Sequence, residues 1–305
     1  MTLTEIVKKF PYIVDNINEV ALEAGTIALN YFNNTNYLTS KVKGDGSVLT
    51  IADAAVEKFL MQELKKLVPG SFFLGEEDSE RMTSDQEYLK QLFSSEHLWS
   101  VDPIDGTNNF KCGYGQFGVS ISLLKNSSEG HVPVLGAVYF PLADWLLYTN
   151  SETSFSIKEG REARLSPLEF TESQLKSKII GLNADEANRF AFVRPDGKYQ
   201  DVRAAGSTMH IMAATVTGQA IGNYFGTCHH WDVASLAAVG APIGVKMYDL
   251  KTGEVVNGLK REMFTFNPKK AWQFDNNVYV FASKSALPYL RALPHENGQP
   301  FVGER

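Results

Sequence analysis

The residues best placed to do chemistry lie in one short run, Asp102-Pro103-Ile104-Asp105-Gly106-Thr107. Two carboxylates stand three apart, and oxygen donors on so short a link suit a hard divalent cation such as Mg²⁺. Pro103 fixes one backbone angle, and Gly106 permits a turn or close approach that side chains resist. If a helix opens at Thr107, the N–H groups of Gly106 and Thr107 can cradle a phosphate. An Asp-rich turn that merely caps a helix has the same composition. A covalent aspartyl-phosphate route needs Asp-x-Asp-Gly-Thr. Here its nucleophile position falls on Pro103, which has nothing to attack with. Metal-assisted attack by water is the chemistry that remains.

More carboxylates sit where elements begin or end: Asp53 after Thr50-Ile51-Ala52, Glu76 and Glu77 after Gly75, and Asp232 after Trp231. Each alone reads as a helix cap or a solvated face. As a set, acids at element termini from distant parts of the chain can converge on one cleft.

The elements that must position them follow from periodicity. Thr4 to Tyr31 reads as a long first helix, with Pro11 marking a kink or a separate turn. Ile51 to Leu67 is a second helix, closed by Pro69-Gly70. A strand over Ser71–Leu74 and a surface helix over Ser84–Phe93 precede the strand that ends in the Asp102 run. Gly118–Leu124, Leu135–Phe140, Trp145–Thr149 and Phe155–Ile157 then read as a meander, so the first half is expected to be helices on an antiparallel sheet. After Asn150 the pattern alternates. Strands are expected over Ile179–Leu182, Val202–Ala204, Gln219–Tyr224, Val245–Asp249 and Val278–Phe281. Helices are expected over Ala184–Phe192, from Gly206-Ser207-Thr208 to Thr217, from Trp231 to Val239, and over Ser285–Ala292. The expected division is therefore 1–150 with most acids and 151–305 with an α/β layer.

The chain has 305 residues, 44% of them hydrophobic and 21% charged, with a net charge of -6. That is ordinary globular composition, and the acidic balance argues against a general nucleic-acid binder. A small anionic substrate remains compatible, since a bound cation reverses the local sign. Cys112 and Cys228 are the only cysteines, which is no disulfide framework and fits a cytosolic setting. The N-terminus lacks a basic segment followed by an apolar core, so no secretory leader is expected. No run approaches a membrane span. Cys228-His229-His230 lacks a fourth ligand at a zinc spacing. His210, beside the apolar stretch Ile211–Val216, reads as a packed histidine, and Tyr31, Phe32 and Tyr37 as core or interface. Gly44-Asp45-Gly46 lacks the spacing of a calcium loop.

Four motifs, in order, resemble the inositol monophosphatase family: Thr-x-x-Asp at Thr50–Asp53, Gly-Glu-Glu at Gly75–Glu77, Asp-Pro-Ile-Asp-Gly-Thr-x-Asn-Phe at Asp102–Phe110, and Trp-Asp-x-Ala at Trp231–Ala234. The resemblance implies an α-β-α-β-α layered sandwich with the site between its halves, and a magnesium-dependent, lithium-sensitive phosphatase. It implies that Glu76, Asp102 and the Ile104 carbonyl hold one cation and that Asp102, Asp105 and Asp232 hold a second, with a weaker third near Glu76. It further implies that Gly106 and Thr107 bind phosphate through their backbone. Asp53 and Thr107, with Glu76 assisting, would activate water. Gly206, Ser207 and Thr208 match the substrate loop. Family members are often dimers. In inositol-specific members a glutamate stands six residues before the Trp-Asp pair. Here that position is Phe225, so a flatter or less hydroxylated substrate than inositol 1-phosphate is expected. Close alternatives are a 3′(2′),5′-bisphosphate nucleotidase and a histidinol or sugar phosphatase. Asn108-Asn109-Phe110 leans to the inositol branch and Glu76-Glu77-Asp78 slightly to the nucleotidase branch. A binding or regulatory protein on the same fold would be expected to lack one of the five acids, and none is missing.

Overall fold

The computed structural model describes residues 12–34, 40–42, 48–77, 85–266, 272–274 and 277–302. Thr4 to Pro11, Tyr37, the Gly44-Asp45-Gly46 loop and Asp78 lie outside them.

Helix α1 (Ile13–Phe32) buries Ile13, Ile17, Val20, Ala21, Ala24 and Ala28 along one stripe. Strands β1 (Ser40–Val42) and β2 (Val48–Thr50) form a small antiparallel pair. Helix α2 (Ile51–Leu67) follows directly and turns Val56, Leu60 and Leu64 inward. A seven-stranded sheet comes next: β3 (Phe72–Gly75), β4 (His97–Asp105), β5 (Gly118–Ser127), β6 (Gly130–Phe140), β7 (Trp145–Thr149), β8 (Ser154–Lys158) and β9 (Arg161–Arg164). The meander β4 to β9 is antiparallel as expected, but β3 runs parallel to β4. Helix α3 (Gln86–Ser94) is the crossover that such a parallel pair requires. The very short helix α4 (Thr107–Lys111) caps the end of β4.

The second half adds α5 (Glu172–Ser177), β10 (Ile179–Leu182), α6 (Ala184–Arg189), β11 (Ala191–Phe192), β12 (Val202–Ala204), α7 (Thr208–Val216), β13 (Ala220–Phe225), α8 (His230–Gly240), β14 (Val245–Asp249), β15 (Val255–Val256), β16 (Phe264–Thr265), β17 (Gln273–Phe274), β18 (Tyr279–Ser283), α9 (Leu287–Ala292), β19 (Pro294–Glu296) and β20 (Gln299–Pro300). A six-stranded mixed sheet runs in the order β12-β10-β13-β18-β14-β15. The expected helix to Phe192 stops at Arg189, because Phe190 and Phe192 alternate inward at strand period and both join the core.

The layering is α-β-α-β-α. Helices α1 and α2 cover one face of the large sheet through Trp99, Val101, Ile121 and Leu123. Helices α7 and α8 lie on its other face, and the same apolar cluster continues to Phe281 and Met247 of the second sheet. The far face of that sheet packs Ile180, Ile221 and Val280 against Leu290 of α9. With both faces covered, all nine residues of β4 are buried.

Close packing in the middle layer is clear at Gly136. A Cβ at Gly136 of β6 would stand 2.3 Å from the Ser235 carbonyl oxygen of α8. We predict that Gly136→Ala destabilises the chain by about 1–3 kcal/mol through overpacking. Urea unfolding checks this, and an unchanged midpoint contradicts it.

Candidate active site

The site forms where β4 breaks its register. Asp102 pairs with Ser120 of β5, but Asp105 pairs with Gly118, so three steps on β4 match two on its partner. Residues three apart in a regular strand face opposite ways; the extra residue at Pro103-Ile104 brings both aspartates to one side. Proline is at home in such a bulge, where no ladder donor is needed. The Asp102 carboxylate accepts the Ile104 N–H at 3.0 Å, which holds the bulge.

Three other segments converge on it. Asp232, in the first turn of α8, brings a carboxylate oxygen to a group in which the ligand atoms of Asp102, Asp105 and Asp232 all lie within 4.8 Å of one another. Its Oδ2 accepts the His229 N–H at 2.8 Å. Asp53 is fully buried in the first turn of α2, where its Oδ2 accepts the Thr50 N–H at 2.8 Å and the Thr50 hydroxyl at 2.5 Å. Its other oxygen faces the Thr107 hydroxyl at 3.3 Å, and that hydroxyl also reaches the Ile104 carbonyl at 3.0 Å. Gly106 supplies the turn between, at φ 84°. A side chain there would meet the Gln116 carbonyl at 2.6 Å. The segment is thus a strand, a bulge, a left-handed glycine and one turn of helix.

Burial and the charges of Glu76, Asp105, Asp232 and Asp53 push the Asp102 carboxyl well above the ordinary range. Burial and Asp232 likewise push Asp105 up to about 7, against hydrogen bonds from Ser207, Met209 and Thr208. Like charges in a dry site must take up protons or a cation. The donors are all oxygens, which fits Mg²⁺ and not a zinc-type sulfur and nitrogen set.

Opposite the acids lies a cavity of about 190 Å³ lined by Asp105, Asn183, Ala204, Gly206, Ser207 and Thr208. Gly206 turns at φ 66°. Asn109 ties this loop to the metal segment, donating to the Gln116 and Ala205 carbonyls at 2.7 and 2.8 Å. Thr208 presents its hydroxyl beside the Asn183 amide at 3.3 Å. The Ser207 hydroxyl donates to Asp105, which lines the same cavity.

Phe225 is a correction. It is 0% exposed and packs on Tyr279 and Phe274, with ring centroids 5.9 and 6.2 Å away. It offers no surface to a substrate. Counting from the Trp-Asp pair finds the strand but not the side-chain direction, and on β13 this side chain faces the core. Phe225→Glu is therefore expected to lower the unfolding temperature sharply, by burying an unpaired charge, rather than to retune specificity. A variant that melts like wild type would restore Phe225 to the site.

Some site residues escaped the sequence reading. Glu57 is buried and accepts the Glu77 N–H at 2.8 Å, which fixes the Gly75-Glu76-Glu77 turn. Its signal was present: Asp53 and Glu57 stand four apart on one helix face. Asn109 stood inside the Asp102–Phe110 motif but with no role assigned, and Asn183 carried no signal. Cys228, His229 and His230 face three different neighbours. Cys228 is in the core, the His229 ring stacks on Trp231 at 5.0 Å, and His230 Nδ1 meets the Ser100 hydroxyl at 2.8 Å. Burial pushes His230 down to about 3. Phe32 packs on Phe110 and Phe117, as a core aromatic should.

The fold is a layered α-β-α-β-α sandwich that gathers the carboxylates of Asp102, Asp105 and Asp232 in one cluster. Residues 13–274 match the inositol monophosphatase family, and the chain belongs to it. It is 27% identical over 256 residues to the 3′(2′),5′-bisphosphate nucleotidase CysQ of Escherichia coli K12, covering 84% of this chain and 97% of that one. It is 28% identical over 211 residues to rat inositol monophosphatase 1, covering 68% and 72%. Among solved structures, the suppressor protein SuhB of Bartonella henselae superposes with a TM-score of 0.65 at 21% identity, covering 91% and 96%. Among the described residues no helix is long and apolar enough to cross a membrane.

The raised carboxyls set a pH dependence. An aspartate whose folded value lies above its ordinary 3.8 stabilises the fold at low pH and loses that contribution as pH rises through the folded value, here about 7 for Asp105. In EDTA, unfolding free energy should therefore fall as pH rises from about 4 to about 7. Asp105→Asn should flatten the slope. Chemical denaturation across pH measures both, and a stability that rises over this range would contradict the assignment.

Proposed function

We propose that the chain hydrolyses a small soluble phosphate monoester with water as the nucleophile and Mg²⁺ as the activating cation. The observation that carries this reading is the oxygen cluster of Asp102, Asp105 and Asp232 beside the Asp53–Thr107 pair. In this reading Glu76, Asp102 and the Ile104 carbonyl hold one ion, and Asp102, Asp105 and Asp232 a second, with a weaker third near Glu76. When bound, Mg²⁺ supplies a Lewis acid that neutralises charge on the phosphoryl oxygens.

The protein's own groups do the rest. The N–H groups of Gly106 and Thr107 hold the phosphate at the turn. Thr107 orients a water with its hydroxyl oxygen and passes a proton to Asp53, whose Oδ1 lies 3.3 Å away. Glu57 and Glu77 keep Glu76 in place. The alcohol portion of the substrate occupies the cavity walled by Asn183, Ala204, Gly206 and Thr208. Lithium sensitivity, a homodimer and a cytoplasmic setting accompany this proposal as family traits.

A second reading is a 3′(2′),5′-bisphosphate nucleotidase. It is favoured by the CysQ match over 97% of that relative. A panel of inositol phosphates, adenosine bisphosphates, histidinol phosphate and fructose bisphosphate separates the readings by kcat/KM. A wide preference for inositol 1-phosphate would remove the second reading.

Asp102→Asn should lower kcat/KM by on the order of 10³-fold or more while the circular dichroism stays native. Hydrolysis in ¹⁸O-water should label the released phosphate in a single turnover. A folded Asp102→Asn protein with normal turnover, or a trapped phospho-aspartate, would overturn the mechanism.

A further inference from the structure

We propose that His210 is a positioning residue for Asp105, acting through the Ser207 hydroxyl. The proposal rests on the metal-binding reading of the site above. Ser207 is 5% exposed and caps α7. Its Oγ accepts the His210 N–H at 3.2 Å, contacts His210 Nδ1 at 2.9 Å, and donates to Asp105 Oδ2. A serine hydroxyl has one hydrogen. Ser207 donates that hydrogen to Asp105 Oδ2. The contact at 2.9 Å then requires His210 to carry its proton on Nδ1 and to donate it to Ser207. Two N–H groups of His210, one from the backbone and one from the ring, thus occupy the lone pairs of Ser207 and leave its O–H a single direction.

The rest of the site gives this chain a purpose. Asp105 takes two more donors, the N–H groups of Thr208 and Met209, each at 3.2 Å. Three donors from one helix start orient the carboxylate, and the two backbone ones are fixed by the helix. Only the Ser207 hydroxyl can rotate, and His210 removes that freedom. The ring is itself clamped, its centroid 4.3 Å from that of Phe140 on the large sheet. Burial pushes His210 down to about 4, so the ring stays neutral. The sequence offered only an apolar neighbourhood for this residue, which reads equally well as packing.

The test uses the full chain with Mn²⁺ as the probe, followed by electron paramagnetic resonance, alongside thermal unfolding in EDTA. His210→Phe keeps a ring against Phe140 but has no donor. It should melt close to wild type and bind Mn²⁺ about tenfold more weakly, the scale on which partners of ligating groups act. His210→Asn places an N–H near the Nδ1 position and should restore most of the affinity. In Mg²⁺-loaded wild type, ¹⁵N spectra should show His210 protonated at Nδ1. Unchanged Mn²⁺ affinity in folded His210→Phe would overturn the proposal and leave the metal reading intact. Protonation at Nε2 alone would overturn it as well, and that measurement decides even where a variant does not fold. Wild type that binds no Mn²⁺ would remove the metal reading and this proposal together.

Discussion

The constraint on which the structure depends is the burial of like charges in one place. Asp102 is 2% exposed, Asp53 is fully buried and Asp105 is 6% exposed, and Glu76 and Asp232 add their charge to the same space. No arrangement of apolar packing can make that favourable by itself. What makes it tolerable is visible around it. Asp53 lies in the first turn of α2 and Asp232 in the first turn of α8, and Asp105 accepts N–H groups at the start of α7. Three helices of nine residues or more direct their positive ends at one cluster of acids. The remaining imbalance is what a divalent cation would offset.

The same constraint explains why the two sheets are joined so tightly. The acids come mostly from the large sheet and its flanking helices, while the cavity walls come from the second sheet and the loop before α7. Asn109 donates across this boundary to Ala205, and Ser207 crosses it to Asp105. Farther from the site, Ser120 Oγ donates to Ser235 Oγ at 2.7 Å and Ser154 Oγ to the Val239 carbonyl at 2.6 Å. The middle helices α7 and α8 are therefore hydrogen-bonded to the large sheet as well as packed on it. A shift of the Gly206-Ser207-Thr208 loop would disturb Asp105, so in the proposed function binding and catalytic geometry are mechanically linked.

Much of this was legible in the chain. The helices and strands followed from periodicity, and the five acids followed from motif and spacing; Asp53 and Asp232 stand in first turns of helices, where local rules favour a carboxylate whatever the tertiary context. The exceptions have physical causes. The register slip in β4 leaves no mark on the sequence beyond a proline, yet it alone puts Asp102 and Asp105 on one side. Phe225 was placed by counting, and counting does not say which face of β13 a side chain takes. Glu57 was visible as a helical neighbour of Asp53 but gained meaning only when the Glu77 amide arrived against it.

The sequence by itself determined the type of chemistry: oxygen donors, a left-handed glycine turn and short helix starts, all of them local properties of consecutive residues. The tertiary structure decided which of these groups act together. It brought the Ser207 hydroxyl onto Asp105 and the Asn109 amide onto the Ala205 carbonyl. Those relations join residues about a hundred positions apart, such as Asp105 and Ser207. They depend on how sheets and helices stack, and short-range sequence patterns carry no record of that.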